Sequence, residues 1–297
     1  MLSKASFGRL SVSLGFFACK NVFAGKMRNS VFANSRGPAA QEQGYFMADF
    51  IEGKRPLIEA LRTQVPLNYI LMADNVQQDG QIKDILRKAR QFDVPVKKVS
   101  RKVLDEKSER GSHQGVMAQT KPYPYSSVTD IIAAANKRAE ENDGAALVIV
   151  LDHITDAGNL GAIARSAEVV GASGLIIPNK RSAHVTAATY KSSAGAINHI
   201  QCAQTANLAS ALERLKKEGF WVAGASEHAH YSVWEAPLYG KIALVMGNEG
   251  EGLARLTMES CDFLTKLPQV GNVGSLNVAQ ASTAIMYEWM RQTTCKK

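Results

Sequence analysis

The chain has 297 residues, of which 45% are hydrophobic and 21% charged, and a formal net charge of +8. That length accommodates about two domains, and the composition is ordinarily globular. No apolar run reaches the ~18 residues of a membrane helix, so a soluble protein without a membrane partner is expected. Much of the charge is local: residues 1–46 hold Lys4, Arg9, Lys20, Lys26, Arg28 and Arg36 against Glu42, a net +5 that leaves +3 for the rest. A polyanionic partner must therefore be read from local clusters. Cys19, Cys202, Cys261 and Cys295 form no C-x-x-C pair and the six histidines are scattered. No metal site or disulfide framework is expected, and a reducing compartment fits.

Residues 1–46 are rich in Ser, Ala, Asn and basic residues. That composition resembles a mitochondrial transit peptide. The favoured alternative is a disordered basic extension ahead of Met47, where ordered-looking sequence begins. Residues 47–120 read as a small α/β domain: a helix at Pro56–Leu61 with proline in its first turn, a strand at Tyr69–Met72, and a helix at Gln81–Arg90 on the spacing of Ile82, Ile85, Leu86 and Ala89. A strand at Val94–Val96, the basic cluster Lys97, Lys98, Arg101 and Lys102, and a strand at Gln114–Ala118 follow. Such a cluster is either a solvated face or an RNA contact. Residues 121–144 read as a linker with an embedded helix over 128–138.

From Ala145 strands alternate with helices, which implies a parallel sheet covered on both faces. Leu147–Leu151 is continuously apolar, as a strand buried on both sides should be. Asn159 stands where an N-cap belongs, before Leu160, Ile163, Ala164, Ala167 and Val170 at helical spacing. Further strands are expected at Gly174–Pro178, Phe220–Ala223, Ile242–Met246 and Phe263–Leu267. An amphipathic helix should run from Asn207 to Lys217, closed by Gly219, and a last helix from about Ser275 to Arg291.

Three segments follow predicted strands, where open α/β sheets bind ligands: Asp152–Ser166, Met246–Leu253 and Leu267–Gln280. The glycines of the second run G-x-x-G-x-G, which is not the order of a dinucleotide site, and no phosphate-binding P-loop is present. Singly, each polar residue has a structural alternative: Asn159 or Asn277 as a cap, Arg165 as a solvated side chain, Glu249 as an ion-pair partner. Together they suggest one pocket.

These segments resemble, in order and spacing, the three signature motifs of the SpoU (TrmH) family of RNA ribose 2′-O-methyltransferases. Glu52 to Leu61 and His113-Gln114-Gly115-Val116 are similar to the substrate-binding domain of its RlmB-type branch. In one departure Ala157 stands where the family usually has proline. The resemblance implies a SPOUT-type, trefoil-knotted α/β domain over 145–297, preceded over 47–120 by a small α/β RNA-binding domain like that of a ribosomal protein. It implies S-adenosyl-L-methionine held by backbone groups at Gly247, Leu267 and Leu276. Arg165 would act on the ribose hydroxyl, and Asn159, Glu249, Ser275 and Asn277 would orient the reactants. It further implies a homodimer with the site shared across subunits, no metal, and a guanosine of large-subunit ribosomal RNA as substrate. The compartment would be a bacterial-type cytoplasm, or the mitochondrial matrix if residues 1–46 are a transit peptide. Three alternatives stay open: the same chemistry on tRNA, a non-catalytic RNA chaperone, and a nucleotide-binding oxidoreductase.

Overall fold

The computed structural model describes residues 50–108, 111–272 and 274–294; the basic extension expected over 1–46 lies outside them. The amino-terminal part contains β1 (Phe50–Glu52), α1 (Lys54–Arg62), β2 (Leu67–Ala73), α2 (Gly80–Gln91), β3 (Val96–Val99), α3 (Arg101–Lys107) and β4 (Val116–Thr120). Its sheet has the order β1-β4-β2-β3, antiparallel at β1–β4 and β4–β2 and parallel at β2–β3. The apolar stripes of α1 and α2 bury Leu57, Leu61, Ile82 and Ile85. Asp79 caps α2, its Oδ1 accepting from the Ile82 amide at 2.9 Å, while its Oδ2 accepts from Lys54 Nζ at 2.7 Å.

Two strand expectations shift here. β3 starts at Val96, so Lys97 and Lys98 belong to the strand, and Arg101 and Lys102 open a helix. β4 starts at Val116 because Gln114 and Gly115 have φ of 51° and 82°, the left-handed region that a strand excludes. Both β1 and α3 went unanticipated, being too short to show a period.

Residues 121–127 lie against the second sheet. The Tyr123 hydroxyl donates to the Ile197 carbonyl at 3.3 Å, and the Val185 amide donates to the Tyr125 hydroxyl at 2.8 Å. Burial pushes the Tyr125 phenol up to about 12 and raises Tyr123 as well. α4 (Val128–Glu141) begins with a reciprocal capping box between Ser127 and Asp130 and packs on the sheet rather than standing between domains.

That sheet is built from β5 (Ala146–Leu151), α5 (Ala157–Val169), β6 (Gly174–Pro178), α6 (Ala187–Ser192), β7 (Gln201–Thr205), α7 (Leu208–Lys217), β8 (Trp221–Ala225), β9 (Tyr231–Ser232), β10 (Lys241–Met246), α8 (Arg255–Glu259), β11 (Phe263–Lys266) and α9 (Val278–Thr294). Its seven strands are ordered β7-β6-β5-β10-β8-β11-β9, and every pairing is parallel. β5 is buried along its whole length and β10 over Ile242–Met246, the physical reason their sequences are continuously apolar. The chain leaves β5 towards β6 and β7 but leaves β10 towards β11. The β5–β10 boundary is therefore the point where connections diverge, and a crevice opens at such a point.

α5 reaches the cleft side of this boundary and packs tightly on α6. A Cβ on Gly161 would collide with Ser192 Oγ and lie 2.5 Å from the Thr189 carbonyl oxygen. Gly161→Ala should therefore destabilise the protein by about 1–3 kcal/mol, read as a lower urea midpoint. An unchanged midpoint would show that the helices separate without cost.

Candidate active site

The loop after β5 is tied to the loop after β10 by a buried carboxylate. Asp152, 1% exposed, accepts from the Ala254 amide at 2.7 Å through Oδ2 and binds His153 Nδ1 through Oδ1. His153 has a φ of 58°, which turns the chain back so that its carbonyl accepts from Asn248 Nδ2 at 2.8 Å. Asn248 and Gly252 exchange both backbone hydrogen bonds at 2.9 Å, and Asn248 Oδ1 accepts from the Gly250 amide. Gly247 has an internal reason to be glycine: a Cβ there would strike the Gly252 carbonyl and lie 2.5 Å from the Leu253 amide nitrogen. Its bare backbone also lines the cleft described below.

The N-cap of α5 is Asp156, not Asn159. Asp156 Oδ1 accepts from the Asn159 amide at 2.7 Å, which leaves the Asn159 side chain for a tertiary contact. Ala157 occupies the first helical position, where proline is favoured for its fixed φ; with Asp156 capping, alanine serves there too. Asn159 Nδ2 donates to Glu249 Oε1 at 2.6 Å, and Asn277 Nδ2 donates to the same oxygen at 2.8 Å and to Asn159 Oδ1 at 3.0 Å. Asn277 is in addition the cap that the sequence suggested, since its Oδ1 accepts from the Ala279 amide at 2.9 Å. One ionised oxygen with two amide donors is a charge-assisted junction, and it joins all three predicted loops.

Beside this junction is a cleft of about 840 Å³, within the range of small-molecule sites. Gly247, Glu249, Leu267, Ser275 and Leu276 all line it. Its floor comes from Met246, Leu253, Val278 and Ile285, each at most 6% exposed, and from Thr265. The Thr265 hydroxyl is buried and has no hydrogen-bond partner among the described residues. The rim carries Ser226, Glu227, His228, Glu251 and Gln269. Arg165 stands apart from this set: it is exposed on α5, does not line the cleft, and makes no ion pair or hydrogen bond with another described residue. Among the described residues no group of three or more His, Cys, Asp or Glu is placed to hold a metal ion.

Sequence reasoning missed Asp152, His153 and Asn248, whose roles depend on partners about 100 residues away, and it missed the 225–228 loop. That loop had a usable signal, because it follows β8 at the same carboxyl edge as the three segments already identified.

Fold and site together define an α/β protein that holds a small ligand where parallel strands end. Residues 146–287 match the SpoU rRNA Methylase family, and residues 50–126 match the family of RNA 2′-O ribose methyltransferase substrate binding domains. The chain is 39% identical over 244 residues to the TrmH family tRNA/rRNA methyltransferase YacO of Bacillus subtilis (strain 168), covering 82% of this chain and 96% of that one. It is 38% identical over 244 residues to a TrmH family tRNA/rRNA methyltransferase of Staphylococcus aureus (strain MSSA476), covering 82% and 95%. Among solved structures, the SpoU methyltransferase AviRb from Streptomyces viridochromogenes, in complex with the cofactor AdoMet, shares the fold with a TM-score of 0.63 at 24% identity, over 84% of this chain and 92% of that one. An AdoMet-bound rRNA methyltransferase from Sinorhizobium meliloti superposes with a TM-score of 0.59 at 24% identity, over 82% and 87%. The chain belongs to the SpoU (TrmH) family of RNA methyltransferases.

Asp152→Ala would leave the Ala254 amide and the His153 ring without their acceptor, a loss of about 1–3 kcal/mol. Hydrogen exchange at the Ala254 amide should then accelerate about tenfold or more. Unchanged protection there would mean that the carboxylate does not hold the loop.

Proposed function

We propose that the cleft binds S-adenosyl-L-methionine and that the protein methylates a ribose 2′-hydroxyl in RNA, with a guanosine of large-subunit ribosomal RNA as substrate. The observation that carries this reading is the Asn159–Glu249–Asn277 junction: it holds three strand-end loops at the edge of a cleft whose floor is apolar and whose rim is polar. That division fits an adenosine below and an amino-acid moiety above. Solved neighbours of the same fold hold AdoMet. Backbone groups of Gly247, Leu267 and Leu276 would surround the base, with Glu249 and Ser275 nearer the charged end. The cofactor supplies an electrophilic methyl group.

A ribose hydroxyl is a poor nucleophile, so the protein must align it and stabilise the negative charge that develops on its oxygen. Arg165 suits this as a permanent cation rather than as a base, because a guanidinium keeps its proton at any working pH. It would clamp the adjacent phosphate and lower the cost of the developing alkoxide, the hydroxyl proton leaving to solvent water as the O–CH3 bond forms and the S–CH3 bond breaks. Asn159 and Asn277 keep Glu249 in place while this happens.

A homodimer accounts for the position of Arg165. It lies on α5 outside its own chain's cleft, near Val169 at 58% exposure. α5 packs on α9, where Tyr287 is 48% exposed. We read the α5–α9 face as the contact with a second copy, which brings Arg165 to that copy's cleft. For RNA, the smaller domain offers Lys97, Lys98, Arg101 and Lys102, all exposed, with Lys97 Nζ 4.3 Å from the Tyr69 ring centre. The match of this domain to a substrate-binding family supports the same use.

Labelled cofactor incubated with total RNA should place label in 2′-O-methylguanosine of large-subunit RNA. Label in tRNA would redirect the substrate, and bound cofactor with no label in any RNA would favour a chaperone. Arg165→Ala should lower transfer by at least about 100-fold while cofactor affinity stays within about twofold. Equal loss of both in a folded protein would move Arg165 into the cofactor site.

A further inference from the structure

We propose that one end of the smaller domain's sheet is a stacking platform for unpaired nucleotides of the substrate RNA, with Phe50 and Tyr69 as its two surfaces. This rests on the reading of that domain as the RNA-binding part and adds the mode of recognition. Side chains alternate along its strands. Ile51, Ile70, Met72, Val116 and Ala118 pack in the main core with Leu57 of α1 and Ile82 of α2. Phe50, Tyr69, Leu71, Ala73 and Met117 belong to the other face. There Leu104 of α3 packs with Leu71, Ala73 and Met117, which are at most 4% exposed.

α3 covers that face only in part, since Phe50, Gln119 and Tyr69 stay half-buried. The register sets these three in one row: Gln119 pairs with Phe50 on one side and with Tyr69 on the other. The two rings therefore stand two strand spacings apart, roughly 10 Å. α1, on the opposite face, is the helix that contacts α6 of the larger domain, so the row is turned away from that contact.

Each ring has a cation over it. Lys97 Nζ lies 4.3 Å from the centre of Tyr69, and Lys107 Nζ lies 5.6 Å from that of Phe50. Both lysines are exposed, so the ring faces beneath them are reached from solvent. An exposed ammonium is held only weakly over a ring, whereas a nucleobase covers the whole ring and stacks more strongly. A base can thus take the ring face, and the displaced ammonium, on its flexible stem, is placed to pair with the phosphate of that nucleotide. Aromatic surfaces interleaved with mobile cations suit a single strand, whose bases are free to unstack. A duplex keeps its bases within the helix and offers mainly phosphate and sugar. Between the rings, the Gln119 amide can both donate to and accept from a base edge.

The test follows the anisotropy of a labelled oligoadenylate strand and of a labelled RNA duplex as the purified full chain is added. Tyr69→Leu and Phe50→Leu, which keep apolar bulk but remove the ring, should each bind the strand about tenfold more weakly. Both should bind the duplex within about twofold of the native protein, and Tyr69→Phe should bind the strand within about threefold. Ultraviolet cross-linking of native protein to the same strand needs no variant and should attach RNA to the peptides that carry Phe50 and Tyr69. Native strand affinity in both leucine variants overturns the proposal, as does an equal loss for strand and duplex, or cross-links confined to other peptides. A native protein that binds neither RNA overturns the RNA-binding reading beneath it.

Discussion

The insertion of β10 between β5 and β8 is the constraint on which the site depends. β10 pairs in parallel with both neighbours over Lys241–Met246, so its carboxyl end emerges in the middle of the sheet instead of at an edge. There the loop that follows it has the β5 loop on one side and the β8 and β11 loops on the other. Parallel pairing fixes the direction of all four strands, and their ends consequently share one edge. A cleft at this edge has walls from residues 225–228, 247–253, 267–269 and 274–276 because the strand order brings those loops together. Two carboxylates then lock the loops, by different physics. Asp152 is buried and is satisfied by a backbone amide and an imidazole. Glu249 is exposed and holds two side-chain amides. The first fixes the shape of the loop, and the second sets which side chains face one another across it.

Much of this was legible in the sequence where the signal was long or local. Leu147–Leu151 and Ile242–Met246 read as buried strands because burial on both faces forces continuous apolarity. The amphipathic stripe of Gln81–Arg90 and the Asn207 cap of α7, whose Oδ1 accepts from the Ser210 amide, also read directly. The short elements β1, β9 and α8 have two to five residues, fewer than a period needs to declare itself. The Asn159 cap failed for an instructive reason: Asp156 and Asn159 are both good caps by type, and only the backbone dihedrals decide between them. Losing that role freed Asn159 for Glu249, 90 positions away. The orphan state of Thr265 was beyond sequence reasoning, because threonine is an ordinary strand residue and its lack of a partner is a fact about its neighbours.

The smaller domain is held to the larger by contacts that burial makes stiff. Tyr123 and Tyr125 meet edge to face at 4.9 Å, and both hydroxyls are engaged by the backbone of residues 185–200. Desolvation is the main cause that raises the pKa of both phenols, so both stay neutral hydrogen-bonding groups near neutral pH. A neutral, hydrogen-bonded junction carries no charge that substrate could perturb. The basic residues that would meet RNA lie elsewhere, on β3 and the start of α3.

The glycines of the β10 loop show how a close-packed turn and a ligand wall become the same object. Gly247 is bare because the Gly252 carbonyl must approach it, and Gly252 is bare because its φ is 69°. Gly250, by contrast, has ordinary space around its Cβ position, where the nearest atom, Asn248 Oδ1, lies 3.6 Å away. So two of the three glycines of this segment are required by the turn itself, before any ligand is considered. The turn in turn presents main-chain groups, without side chains in the way, to the cleft beside it. A glycine pattern of this kind therefore reports the local backbone first and the ligand second.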